Sequence, residues 1–173
     1  SGQSTSDLRK DALKDFIANA IATTKLLAED PFRTLPDPKY YQGRAELDLG
    51  ILDPDYGKWT PEARHAMVKA LEESSLANAG PKVISVTAGE YDSREEIILM
   101  ASNGFEGFRE STVYQAGAQI TVQDEGDRRP MGSSYAVCVK KKDMPSPEAI
   151  GAEAAKRTLA LLGGKKLKTE TLP

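Results

Sequence analysis

A chain of 173 residues, 39% hydrophobic and 28% charged, can bury one core of ordinary size together with an appendage, and reads as soluble and globular. Its formal net charge of -3 disfavours direct nucleic-acid binding, which needs clustered Lys and Arg to release counterions from phosphates. The longest nearly apolar window, "FIANAIATTKLLA", is interrupted by Asn19, Thr23, Thr24 and Lys25, so no transmembrane helix is expected.

The opening "SGQSTSDLRKD" has neither a basic n-region nor an apolar h-region, so no signal peptide is expected within it. A long amphipathic helix follows, capped by Ser6 or Asp7, with Leu8, Ala12, Phe16 and Ala20 at i, i+4 spacing. It should stop at Asp30, because Pro31 lacks an N–H and disfavours helical geometry in its predecessor. From residue 31 to 59, Pro31, Pro36, Pro38, Pro54, Gly43, Gly50 and Gly57 break any regular element. Phe32, Leu35, Tyr40, Tyr41, Leu47, Leu49, Ile51, Leu52, Tyr56 and Trp59 make this stretch too apolar for a disordered linker, so it reads as an ordered loop. Its acids Asp48, Asp53 and Asp55 lack the spacing of a calcium loop and read as turn caps.

A second helix is expected over 60–80, with Thr60 as N-cap, Pro61 at N1, Glu62 in the first turn and Gly80-Pro81 as the stop. Ala63, Met67, Ala70, Leu71, Ser74 and Ala77 share one face, and His65, Lys69, Glu72 and Glu73 point away from it. A zinc-binding helix would carry a second His four residues after the first. Lys69 stands there, so His65 reads as a surface residue.

The β region over 82–142 is expected to be a meander of about four strands. "KVISVTA" and "EEIILMAS" form the first two, joined by a turn at "GEYDSR". Asn103-Gly104 signals a type I′ turn into a strand over 105–123, with Gly117 as a bulge. "DEGD", Asp124 to Asp127, turns into "SSYAVCVKK" as the fourth strand. "GFEG" matches the GxxG clamp of KH domains but opens a strand beside Glu106 and Glu110 rather than a basic helical setting. Cys138 is the single cysteine, which rules out an internal disulfide and suits a small buried hydrophobe.

The last helix, over 146–164, has Ser146 as N-cap, Pro147 at N1, Glu148 at N2 and Gly163-Gly164 as its end. Ile150, Ala154, Thr158 and Leu161 form its stripe, widened by Ala155, Leu159 and Leu162. Lys156, Arg157, Lys165, Lys166 and Lys168 fall at and after its C-terminus, where cations complement the helix dipole. The tail "KKLKTETLP" reads as cut rather than finished. The fold class is α+β, an antiparallel sheet of about four strands with three helices, and no catalytic, metal-ligating or cofactor-binding residue is assigned.

"STSDLRKDAL", "AEDPFRTLPDP", "ELDLGILDPD", "ISVTAGEYDSREEIILMASNGFEG" and "IGAEAAKRTLALLGGKKLKTETLP" resemble, in this order, segments of the TldD/PmbA family, also labelled modulator of DNA gyrase, with the PmbA (TldE) branch the nearer. The resemblance implies the N-terminal α/β part of a longer protein, without its earliest strands and its β-rich C-terminal domain. TldD subunits of the family carry a zinc-binding HExxxH helix. No such motif occurs here, so no metal or catalytic position carries over. Gly104 stands where the family's Asn-Ser-x-Gly commonly has Ser. The implied role is that of scaffold and substrate-chamber wall in a cytoplasmic TldD/TldE-type metalloprotease for peptide maturation or proteolysis. Zinc would sit in a partner subunit, a homo- or hetero-dimer with a TldD-type paralogue would form, and peptides or unfolded protein would be the substrates. The alternative is a non-enzymatic protein-interaction module of the gyrase-modulator type.

Overall fold

The structure is a computed structural model that describes residues 2–44, 47–165 and 169. The chain divides into two units, residues 1–42 and 43–173. Lys166, Lys168 and most of the C-terminal tail lie outside the described residues.

In the first unit, helix α1 spans Lys10–Thr24, shorter at both ends than the sequence suggests. Asp7 does not cap it. Its carboxylate instead accepts the Arg9 amide (3.1 Å) and guanidinium, leaving Arg9 as an N-cap whose side chain bonds no helix amide. At the other end the Thr24 hydroxyl donates to the Ala20 carbonyl (2.7 Å), a bond typical of residues that compete with the helix ladder. The Leu26 and Leu27 amides then turn to carbonyls three residues back, so the helix ends six residues before Asp30. No α1 residue is buried, and Phe32 and Tyr40 in the following loop are exposed as well. Apolar composition did not translate into burial there.

The second unit starts from a helix built as its signals require. α2 spans Pro61–Ala79, the Thr60 hydroxyl accepts the Ala63 amide at 3.2 Å, and Gly80 closes the helix at φ 71°. Strands β1 (Val83–Met100), β2 (Glu106–Val122) and β3 (Met131–Cys138) form an antiparallel meander in the order β1-β2-β3. Helix α3 spans Pro147–Leu159, with Ser146 accepting the Ala149 amide. It ends before Gly163: the Leu161 and Leu162 amides already make three-residue bonds, and Gly163 at φ 70° follows that tightened turn.

Among the described residues three strands stand where about four are expected, because "GEYDSR" is no turn. It continues β1, with Gly89 opposite Gly117, Tyr91 opposite Gln115 and Arg94 opposite Thr112. The hairpin turn is also of another kind. Among the described residues none but glycine has positive φ, so Asn103 cannot sit in a type I′ turn; in this hairpin Gly104 alone has positive φ, at 87°. Ala101 bonds Phe105 and Gly104 bonds Ala101, which makes a three-residue loop closed by a left-handed glycine. The Arg44 guanidinium donates to the Glu106 carbonyl and lies over the Phe105 ring at this tip. Gly117 is no bulge either; the register shift lies between Val83 and Ser85. A Cβ on Gly117 would come within 2.7 Å of the Tyr135 Cβ, so glycine serves strand packing.

Helices α2 and α3 cover one face of the sheet. Met67, Leu71, Ala116, Ala118, Ile120, Val122, Ile150 and Ala154 form the core between them. Leu71 and Ile120 are fully buried, each stabilising the fold by about 1.5–3 kcal/mol through lost apolar surface. The buried stripe of α2 is Met67, Leu71, Ser75 and Ala79, rotated from the expected face, and Ala77 is exposed. α2 is wedged against α3, where the Ser74 hydroxyl donates to the Glu148 carbonyl. A Cβ on Gly151 would lie 2.9 Å from the Ser75 amide nitrogen. Leu161 lies beyond the end of α3 and is exposed, and Gly151 joins the buried stripe of the helix.

Two substitutions test this packing. Gly151→Ala pushes α3 off α2 and is expected to cost about 1–3 kcal/mol by overpacking, read from urea denaturation. Gly104→Val places a β-branched side chain at positive φ and is expected to cost about 1–3 kcal/mol, whereas Gly104→Asn costs less. Unchanged midpoints would show that neither glycine is required.

Candidate functional site

The loop before α2 is fastened to the sheet by one buried carboxylate. Asp53, only 8% exposed, accepts the Tyr114 hydroxyl (3.1 Å) and the Lys141 amide (2.8 Å) on Oδ2, and the Asp55 amide (3.0 Å) on Oδ1. Its own amide donates to the Thr112 hydroxyl, which in turn donates to the Val139 carbonyl. Loop, β2 and the segment after β3 therefore meet at one side chain. The Lys141 amide, together with the Asp55 amide and the Tyr114 hydroxyl, holds the Asp53 carboxyl below its ordinary range against the opposing effect of burial. Burial pushes the Tyr114 phenol upward, and the Asp53 charge adds to this.

Beside it lies a second charged group on the helix-facing side of β1. Arg64 of α2 grips Asp92 with two bonds, 2.5 and 2.7 Å, and the Trp59 indole donates to Glu90 at 3.1 Å. Lys141 Nζ sits 4.3 Å from the centre of the Trp59 ring. Hydrogen bonding from Arg64 holds the Asp92 carboxyl far below its ordinary value, while burial first and then Asp92 raise Glu90. Arg64 and Asp92 form an ion pair, Glu90 and Lys141 both engage Trp59, and no buried side-chain polar atom among the described residues lacks a partner. The arrangement fixes a loop; it presents no free base beside a nucleophile.

The opposite face of the sheet is uncovered. Gly89 and Gly117, partners across β1 and β2, floor a shallow trough of about 350 Å³ lined also by Tyr91, Gln115, Gln119 and Tyr135. Tyr91 and Tyr135 are 58% and 68% exposed, so two phenols and two amides face solvent there. Such a surface can stack on and hydrogen-bond to an extended chain.

Two of the three acids singled out in the sequence act as turn caps: Asp48 accepts the Gly50 amide at 2.8 Å, and Asp53 the Asp55 amide; Asp55 makes no side-chain cap and pairs with Lys58 at 2.7 Å instead. Sequence reasoning missed the longer reach of Asp53. "DEGD" is a turn, with Gly126 at φ 60°, but Asp124 also pairs with Arg128 (3.1 Å) and accepts the Gly163 amide, anchoring the end of α3. His65 is exposed on α2. Cys138 is half-buried on β3, and burial raises its thiol. Among the described residues no three His, Cys, Asp or Glu side chains converge, and zinc takes three or four such ligands. The described residues offer no such set.

A three-stranded meander sealed on one side by two helices, with its charged groups spent on holding a loop, defines an α+β domain that presents a surface. The chain belongs to the PmbA/TldD family: residues 54–162 match its description "PmbA/TldA metallopeptidase central domain". It is similar to the metalloprotease PmbA of Escherichia coli O157:H7, 24% identical over 98% of this chain and 37% of that protein. It is also similar to a metalloprotease PmbA homolog of Buchnera aphidicola, 23% identical over 96% of this chain and 36% of that one. A solved Bacteroides thetaiotaomicron structure, described as a proposed modulator of DNA gyrase, superposes with TM-score 0.89 at 34% identity, over 96% of this chain and 38% of its own. A Thermotoga maritima structure at 18% identity and TM-score 0.68, over 90% of this chain and 33% of its own, shares the fold. The chain thus spans little more than a third of these relatives. No helix among the described residues is long and apolar enough to cross a membrane.

The Asp53 clamp predicts a pH signature. Its carboxyl is depressed in the folded state, so the stability it contributes is full above the ordinary carboxylate pKa and is lost as pH falls through the folded value. Asp53→Asn is expected to cost about 1–3 kcal/mol at pH 7. In urea titrations the gap to the parent chain should shrink below about pH 4; a gap constant down to pH 3 would contradict the clamp.

Proposed function

We propose that this chain is a non-catalytic portion of a TldD/TldE-type metalloprotease, acting in the cytoplasm in peptide maturation or proteolysis. In this reading the chain is the α/β part of a longer protein that continues into a β-rich domain. It serves as scaffold and as wall of the chamber that admits peptide or unfolded protein. A TldD-type paralogue pairs with it and supplies the zinc. The observation that carries the reading, beside family membership, is the one-sided sheet: one face packs two helices and the other offers the Tyr91–Tyr135 trough.

The experiment is co-expression of the full-length protein with its TldD-type paralogue. Zinc and peptide cleavage are expected in the pair and in neither measure with the full-length protein alone. Tyr91→Ala combined with Tyr135→Ala should lower kcat/KM of the pair roughly tenfold, about 1.4 kcal/mol of lost transition-state binding. Zinc-dependent cleavage by the lone protein would refute the division of labour. A second reading, a protein-interaction module without enzymatic activity, is favoured by the gyrase-modulator description of the Bacteroides relative. A pair that forms but never cleaves would support it.

A further inference from the structure

We propose that Glu90 and Asp92 share one proton, and that this proton latches the loop carrying Trp59 to the sheet. The two acids stand two residues apart on β1, so their side chains leave the strand on the same, helix-facing side. Asp92 is nearly saturated. The Arg64 guanidinium donates to both of its oxygens, at 2.5 and 2.7 Å, and the Tyr56 hydroxyl bonds to it as well. A carboxylate offers about four acceptor positions, so one remains, and the Glu90 carboxyl lies within hydrogen-bonding reach of it. A protonated Glu90 can use that position, whereas an ionised one is repelled from it. One oxygen of Glu90 already accepts the Trp59 indole at 3.1 Å. The other carries the proton and donates it to Asp92.

The surroundings keep the proton on Glu90. Arg64 holds Asp92 in its charged form, while burial first and then Asp92 favour the neutral Glu90; the indole bond and the Arg64 charge oppose them and are outweighed. From α2 Arg64 faces the pair, and His65, next in the chain, is exposed. The loop brings Tyr56 and Trp59, and the segment after β3 brings Lys141, whose amine lies over the Trp59 ring. On β2 the partner of Asp92 is Tyr114, a phenol bonded to Asp53, and the partner of Glu90 is Ala116. On β3, Cys138 stands opposite Tyr114 and Ala136 opposite Ala116. Across the sheet, Glu90 therefore meets alanines.

One loop is thus held by two acids with opposite requirements. Asp53 must be ionised, and its hold is lost as pH falls through a depressed value. Glu90 must be protonated: its hold is full below the ordinary glutamate value and is lost as pH rises through its raised one. Once ionised, Glu90, which is half-buried, relieves the repulsion by turning from Asp92 towards solvent, and the indole loses its place against it. The loop is held most firmly between the two values and loosens on either side. This device stands whether or not the Tyr91–Tyr135 trough receives peptide.

Trp59 is the single tryptophan of the 173-residue chain, so its fluorescence reports the latch directly. Acrylamide quenching of Trp59 should rise in a one-proton step whose midpoint lies above 4.5, the ordinary glutamate value, with an unchanged far-ultraviolet circular dichroism spectrum. Glu90→Gln offers the same oxygen to the indole and an amide N–H to Asp92. It should abolish that step, keep Trp59 shielded and leave the acid-side loosening in place. His65→Gln should leave the step where it is. If Glu90→Gln does not fold, the carboxyl-carbon NMR shift of Glu90 in the parent chain decides, since it must titrate at the midpoint of the fluorescence step. No step above 4.5, a step that persists in Glu90→Gln or vanishes in His65→Gln, or a Glu90 carboxyl that titrates at or below 4.5 overturns the proposal.

Discussion

Helix α3 lies against two neighbours at once, and the rest of the second unit depends on how closely it does so. On one side Gly151 admits the backbone of α2; on the other, a Cβ on Gly132 of β3 would stand 2.9 Å from the Thr158 Cα. Because neither position carries a side chain, two helices fit over a sheet of three strands and exclude water from Leu71, Ile120 and Ile150. Thr158 and Ser75 can then be fully buried, since each hydroxyl donates to the carbonyl four residues back in its own helix. A larger residue at either glycine would separate the layers along the whole contact, which is why small residues concentrate there.

Sealing one face has a consequence for the other. With α2 and α3 spent on the same side, the opposite face keeps its tyrosines and glutamines in solvent, and the ribbon beyond β3 has no layer beneath it. The ribbon keeps its shape through Arg44 at the tip and the Arg94–Glu110 pair (2.5 Å) across the strands at its base. Surface ion pairs of this kind contribute little by themselves, so the apolar residues between them are the larger unspent quantity.

Charge in this domain is used to hold position. Asp53 and Asp92 each sit almost wholly out of water with their acceptor capacity filled by amides, a phenol or a guanidinium. Such groups penalise any displacement of the loop, because a buried carboxylate without its partners is costly. The loop that carries Trp59 is thereby fixed relative to α2 and to the sheet.

The amino-acid sequence by itself determined what is decided within about four residues. Thr60-Pro61-Glu62 and Ser146-Pro147-Glu148 start helices where they stand, because the capping hydroxyl and its amide are neighbours in the chain. Asn103-Gly104 marked the hairpin, although the turn type followed from Gly104 alone. The α+β class and the family were legible from the succession of segments. Tertiary structure decided the rest. "GEYDSR" looks like a turn until Glu90 finds Trp59 and Asp92 finds Arg64, 31 and 28 residues away. Asp53 looks like a local cap until it meets Lys141, 88 residues on. The buried face of α2 packs on the sheet and on α3, where Gly151, on a helix far along the chain, admits Ser74 and Ser75. A polar residue reveals its role only with its partner, and at such separations the fold alone brings the partners together.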